Sequence, residues 1–228
     1  MLGVSVNAGA ILLGTLLGLL FGRFLSKDLR EKIAQATSLG VVVIGIQMAL
    51  VTKNILLVII SLVLGVIVGH LLGIENGLNS LGVSIEKQLS QHISTGSFVQ
   101  AFVTSSLVFC VGAMAILGSL ESGLSGNHQI LFVKSLLDGV MAMVFASTLG
   151  IGVAFSALAV FLYQGAIVIL AKFVQPYLST SVIGELKATG GILILVIGLN
   201  LLRVTKIKVG DFLPAILFAS IAAYLFLR

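Results

Sequence analysis

The chain has 228 residues, 58% of them hydrophobic and 9% charged, with a formal net charge of +5 and a mean hydropathy of +1.22. A soluble domain carries about 25% charged residues, so this composition cannot coat a water-facing surface. Most of the thirteen Lys and Arg residues sit between apolar runs with no basic tract interleaved with aromatics, so the positive charge does not point to a nucleic-acid partner, and the single Cys110 excludes an intramolecular disulfide or a multi-cysteine metal site.

Several apolar runs reach about 18 residues or more, the length needed to cross about 30 Å of hydrocarbon. They do not alternate as β-barrel strands would. The predicted fold class is an all-α polytopic membrane protein with 7–8 transmembrane helices, one interfacial amphipathic helix and an inverted internal repeat, its main partner being the lipid bilayer.

Span 1 is predicted over 4–22. It has no positively charged region before it and Arg23 after it, the wrong polarity for a cleaved signal peptide, so it reads as a retained helix. Gly14, Gly18 and Gly22 fall four apart, a face on which another helix can approach closely. The basic loop RFLSKDLREK follows and is placed in the cytoplasm, with the N-terminus outside. Span 2 covers 37–52, and Lys53-Asn54 make a short exterior turn. Span 3 covers 55–73 with a second glycine face, Gly65, Gly69 and Gly73. Residues 74–94 have apolar positions at helical spacing among polar ones and read as the interfacial helix.

Span 4, over 97–118, has a polar first half and Gly112 in its second, where a break would put Glu121 at a vestibule; otherwise Glu121 is solvated in an exterior loop. Span 5 covers 130–149 and carries Lys134 and Asp138. The connector ASTLGIG leads into span 6, over 151–171. Residues 172–187 read as an exterior loop, followed by span 7 over 188–203 and span 8 over 213–227.

One phrase occurs twice: IGIQMALVTK at 44–53 and IGLNLLRVTK at 197–206. Ile, Gly, Val, Thr and Lys coincide without a gap, and Gln47 and Asn200 keep a carboxamide in register. A second anchor is the GAI shared by NAGAILLG and YQGAIVIL, with Asn7 and Gln164 beside it. Small residues at Gly65, Gly69 and at Ala219, Ala223 extend the match. Five steps separate span 2 from span 7, so the copies cross the bilayer in opposite senses. The chain is therefore expected to be one membrane domain, with 1–73 as the first repeat, 74–150 as insertion and 151–228 as the inverted second repeat.

Ionisable groups inside a membrane are costly and mark functional sites. Asp138 lies deep in span 5 with Lys134 one turn before it, as a structural ion pair or an ion or substrate contact. Candidate substrate- or ion-binding residues are Asp138, Lys134, Gln100, Ser105, Ser147, Thr148, Gln164, Asn7, Gln47 and Asn200. The hydroxyls also have the plain role of bonding their own helix carbonyls. His70, near a span end, is a satisfied side chain or a proton relay. No P-loop, HExxH, GxSxG or paired-carboxylate constellation occurs, so neither an enzyme nor a cofactor is expected, and the metal question stays open.

The runs FCVGAMAILGSLESGLSG, KSLLDGVMAMVFASTLGIGVAFSALAVFLYQG, ATGGILILVIGLNLL and IKVGDFLPA resemble the bacterial YqgA/YdfK-like integral-membrane family of unknown function. The resemblance covers essentially the whole chain and implies a bacterial inner-membrane protein; it carries no activity. The function expected is a secondary transporter or channel-like carrier of a small solute or ion, working by alternating access around a midplane polar site. The alternative is a non-transporting scaffold or regulator acting through helix contacts, and the glycine faces also suggest a homodimer.

Overall fold

The computed structural model describes residues 1–22, 24, 26–77, 80, 95–110 and 113–227. Among them every regular element is helical: α1 (Leu2–Gly22), α2 (Lys27–Ala49), α3 (Ile55–Leu71), α4 (Thr95–Cys110), α5 (Ala113–Leu124), α6 (Gln129–Leu149), α7 (Gly152–Ile169), α8 (Ala171–Val174), α9 (Thr180–Leu201) and α10 (Pro214–Phe226), with 3-10 turns at Gln175–Tyr177 and Val209–Phe212. Six stretches are long and apolar enough to cross a membrane, and α4 with α5 makes a seventh if the bent pair is one span. α3 is apolar and slightly shorter. The predicted interfacial helix lies mostly outside the described residues, of which 74–77 and 80 are helical.

Small and polar residues point inward and large apolar ones outward. The buried stripe of α1 is Gly3, Val4, Asn7, Ile11, Gly14, Thr15, Gly18 and Gly22, a spacing of three and four that keeps one seam on a neighbour. Leu12, Leu13, Leu16, Leu17, Leu20 and Phe21 on the same helix are exposed. Lipid is as apolar as leucine, so helices associate through close packing of small residues and through hydrogen bonds.

The chain divides into two compact units. The first holds α1, the first half of α2 and α4 to α8; the second holds the rest of α2 with α3, α9 and α10. In the first unit α1 runs parallel to α6: Gly14 backs onto the Gly139 carbonyl, Gly18 onto that of Met143 and Gly22 onto that of Ser147. α6 ends at Gly150, whose φ of 90° turns the chain back into α7. The connector is thus a turn between two helices rather than a break within one.

α4 and α5 are bent by 58° relative to one another. Gly152, at the start of α7, backs onto the Phe98 carbonyl, and the Phe98 and Phe155 rings meet edge to face at 5.1 Å. At the other end, Gly123 of α5 backs onto the Val168 carbonyl and the Ala171 side chain. The pair therefore passes along the full length of α7, as a broken span does; a re-entrant hairpin would return to its starting end.

In the second unit α2 and α9 are antiparallel. Gly45 backs onto Leu195, Gly198 onto Val42 and Ser38, and Gly191 onto Met48 and Ala49. α3 and α10 are antiparallel as well: a Cβ at Gly65 would fall 2.5 Å from Ala215, and Gly69 backs onto the Asp211 carbonyl. Leu57, Val182, Ala219 and Ala223 form a core cluster here.

Several predicted boundaries move. α2 begins at Lys27 rather than at 37. Its basic segment is helical because Ser26 accepts from the Leu29 N–H and Lys32 pairs with Asp28 one turn back. α9 begins at Thr180, capped by Ser179, so 180–187 is helix and not loop. α3 stops at Leu71; Gly73, expected to pack, has a φ of 63°, and a Cβ built there would meet nothing within 4 Å among the described residues, so it turns the chain instead. Glu121 lies in α5, where it accepts from the Asn127 side chain at 2.7 Å.

Candidate functional site

Three helices of the first unit bring four polar side chains together in an apolar setting. Asp138 is the tenth of the 21 residues of α6, about 14 Å along its axis. Lys134, one turn before it, donates to both carboxylate oxygens at 2.7 and 2.9 Å. From α1, the Asn7 amide donates to Asp138 Oδ2 at 3.0 Å and to Gln164 Oε1 of α7 at 3.3 Å. Asn7 and Gln164 are fully buried, and Lys134 and Asp138 nearly so.

The network leaves capacity unused. Asn7 Oδ1 and Gln164 Nε2 are buried without a hydrogen-bond partner among the described residues. The Asn7 orientation is set by Asp138, since its carbonyl would repel the carboxylate, and Gln164 follows because it must accept from Asn7. One acceptor and one donor are therefore left beside a neutralised ion pair. Phe109, next to the last residue of α4, stacks on Phe145 of α6 at 6.1 Å, and Gly118 of α5 backs onto Ile130 and Leu131 of α6. The bend between α4 and α5 therefore lies level with the stretch of α6 that carries Lys134 and Asp138.

Of the ten candidate residues, four meet: Asn7, Lys134, Asp138 and Gln164. The others do not join them through any hydrogen bond among the described residues. Ser105 donates to the Ala101 carbonyl, Ser147 to that of Val144, and Thr148 to those of Val144 and Phe145. These hydroxyls serve their own helices. Gln100 is half-buried on α4. Gln47 is exposed on α2. Asn200 clasps the end of α9, accepting from Thr205 Oγ1 at 2.6 Å and the Ile207 N–H at 3.1 Å while donating to the Ile207 carbonyl at 2.8 Å. Gln47 and Asn200 are therefore not a facing pair: in the antiparallel register of α2 and α9, Gln47 falls level with Leu193, seven residues or about 10 Å from Asn200.

Gly14, Gly18 and Gly22 face α6, and Gly65 and Gly69 face α10 and the turn before it, so both glycine faces are engaged within the chain. His70 is 81% exposed and its Nδ1 lies 3.9 Å from Asp211 Oδ2. Among the described residues no group of three or more His, Cys, Asp or Glu could hold a metal ion. Glu185, by contrast, is not among the residues the sequence singles out: the loop expected over 172–187 contains it, yet it is 1% exposed in α9. Its helical spacing to Thr189, before an apolar run, marks a shared face but not what covers it.

Helices with small polar interiors and apolar exteriors, around a buried polar cluster, define a multi-pass α-helical membrane protein. The chain belongs to the family described as protein of unknown function (DUF554), whose model matches residues 2–224. It is 31% identical over 230 residues to the uncharacterized membrane protein YdfK of Bacillus subtilis, covering 98% of this chain and 96% of that one. It is 30% identical over 222 residues to the uncharacterized protein YqgA of Escherichia coli, covering 96% and 94%. No solved structure matches.

Proposed function

We propose that the protein is a secondary transporter or channel-like carrier of a small solute or ion, with alternating access to a site formed by Asn7, Lys134, Asp138 and Gln164 in the bacterial inner membrane. The observation that carries the proposal is the buried cluster itself, with a free acceptor on Asn7 and a free donor on Gln164 beside a broken span. Carriers place substrate and ion sites near the midplane, at interrupted helices. The pair Lys134–Asp138 cancels its own charge, which suits a small polar guest that exchanges hydrogen bonds with the cluster.

An inverted repeat is part of the proposal, and contacts inside each unit support it. At an offset of 153, Leu195 is the equivalent of Val42 and Gly198 the equivalent of Gly45. Gly45 meets Leu195 and Gly198 meets Val42, so each contact is returned by its equivalent. A two-fold axis produces this reciprocity. Asn7 and Gln164, which flank the GAI of the other matched segment one position out of register, touch each other, which brings the two copies of that segment side by side. The glycine faces on which a scaffold or a homodimer would rest are already engaged within the chain, so an assembly of copies would use other surfaces.

The test is flux in proteoliposomes under imposed gradients of protons, sodium, potassium, chloride and a mixture of amino acids, read as current on a supported membrane. At least one gradient should drive a current in the wild type that falls tenfold or more in Asp138→Asn. An undiminished current in that variant removes Asp138 from the site. Silence under every gradient counts against transport.

A further inference from the structure

Glu185 sits in the second turn of α9, 1% exposed. Its Oε2 accepts from Thr52 Oγ1 at 2.5 Å and its Oε1 from the Lys53 backbone N–H at 2.8 Å. A carboxylate has about four acceptor positions, so half its capacity remains. No Lys, Arg or His lies within ion-pairing distance of it among the described residues. Lys53, beside Thr52, is exposed on the α2–α3 turn, and Lys187, two residues along α9, is half-buried and lies about 200° around the helix from Glu185. A buried carboxylate without a counter-charge is costly.

One turn further along the same face is Thr189, fully buried, with its hydroxyl unpartnered among the described residues. Buried hydroxyls without a partner among the described residues also occur at Thr15, Thr104, Ser106 and Ser119; Thr189 differs in standing one helical turn from a buried carboxylate. Thr37, Ser105, Ser135, Ser156 and Ser220 all donate to carbonyls of their own helices. Thr189 does not, and residues four apart on a helix are neighbours. Thr52 follows closely on the end of α2 at Ala49, where the helix dipole presents its negative end. Carboxylate, hydroxyl and carbonyl oxygens are hard donors, suited to alkali and alkaline-earth ions rather than to transition metals. A single carboxylate is neutralised by a single positive charge.

We propose that Glu185, Thr52 and Thr189 form a binding site for a monovalent alkali cation, separate from the Asp138 cluster. A plain latch between the α2–α3 turn and α9 would account for the two hydrogen bonds. It would leave the carboxylate's charge uncompensated and the Thr189 hydroxyl without a use.

The probe is sodium. Thermal unfolding of the purified full chain in detergent micelles is followed by circular dichroism, with sodium chloride replacing choline chloride at constant ionic strength. Sodium should raise the wild-type melting temperature saturably by a few degrees. The rise should vanish in Glu185→Gln, persist in Asp138→Asn, and require several-fold more sodium in Thr189→Val. An unchanged sodium response in Glu185→Gln or Thr189→Val overturns the site, as does a wild type that responds alike to sodium, lithium and choline. If Glu185→Gln does not fold, Thr189→Val decides. The measurement is made at equilibrium, so silence in the flux experiment leaves it standing, and its own failure leaves the Asp138 site untouched.

Discussion

Lys134 and Asp138 show how two costly residues make each other tolerable. Both are almost fully buried, and the Nζ reaches both carboxylate oxygens. Removing one partner leaves the other charge stranded, at about 3–5 kcal/mol for a buried pair, whereas replacing both by apolar groups of similar size is close to neutral. Lys134→Met should therefore destabilise the protein strongly, and Lys134→Met combined with Asp138→Leu should recover most of the loss. Chemical unfolding of the three variants in micelles measures this. Equal stability of the single variant and the wild type would show that water reaches the pair. Asn7 and Gln164 are different: each makes part of its bonding and keeps one atom free, which is why the cluster reads as a site and not only as a buried ion pair.

The elements are held by glycine. Along α1, Gly14 and Gly18 let the backbone of α6 approach until the carbonyls of Gly139 and Met143 occupy the space of a Cβ. Gly14→Val should push the helices apart and cost about 1–3 kcal/mol, the usual range for overpacking. Gly9, on the same helix, has nothing within 4 Å of a built Cβ. Gly9→Ala should be neutral or stabilising by up to about 1 kcal/mol, through the reduced freedom of the unfolded chain. Melting temperatures of the two variants, compared side by side, distinguish close packing from general glycine intolerance. Similar losses in both would refute the packing argument.

For the molecule as a whole, direction is the quantity that matters. Because α2 and α9 are antiparallel, their C-terminal ends lie at opposite ends of the pair, and with them Lys53 and Lys206, the last residues of the repeated phrase. In a Cys110→Ala background, Lys53→Cys and Lys206→Cys should be labelled by a membrane-impermeant maleimide from opposite sides of sealed vesicles. Labelling from the same side would break the inverted topology and the repeat with it. The compact units each draw on both matched segments, α1 with α7 in the first and α2 with α9 in the second. A repeat in sequence therefore need not coincide with a unit of packing.

The residues alone determined the membrane class, the positions of the apolar spans and the presence of an ionisable pair, Lys134 and Asp138, inside one of them, because hydrocarbon thickness and the scarcity of buried charge act on composition and spacing directly. The phrase that occurs twice also lies in the letters themselves. Helix starts at 27 and 180 were not legible, since polar turns look like loops until a cap or a buried partner is known. Only the tertiary structure decided which carboxamides meet. Asn7 and Gln164 do, while Gln47 and Asn200 do not, although only the second pair is matched in register in the sequence. Spacing along one helix fixes a face, but what lies opposite depends on the register and rotation of a second helix more than a hundred residues away. For the same reason Glu185 was invisible: its burial depends on Thr52 and Lys53 arriving from another hairpin.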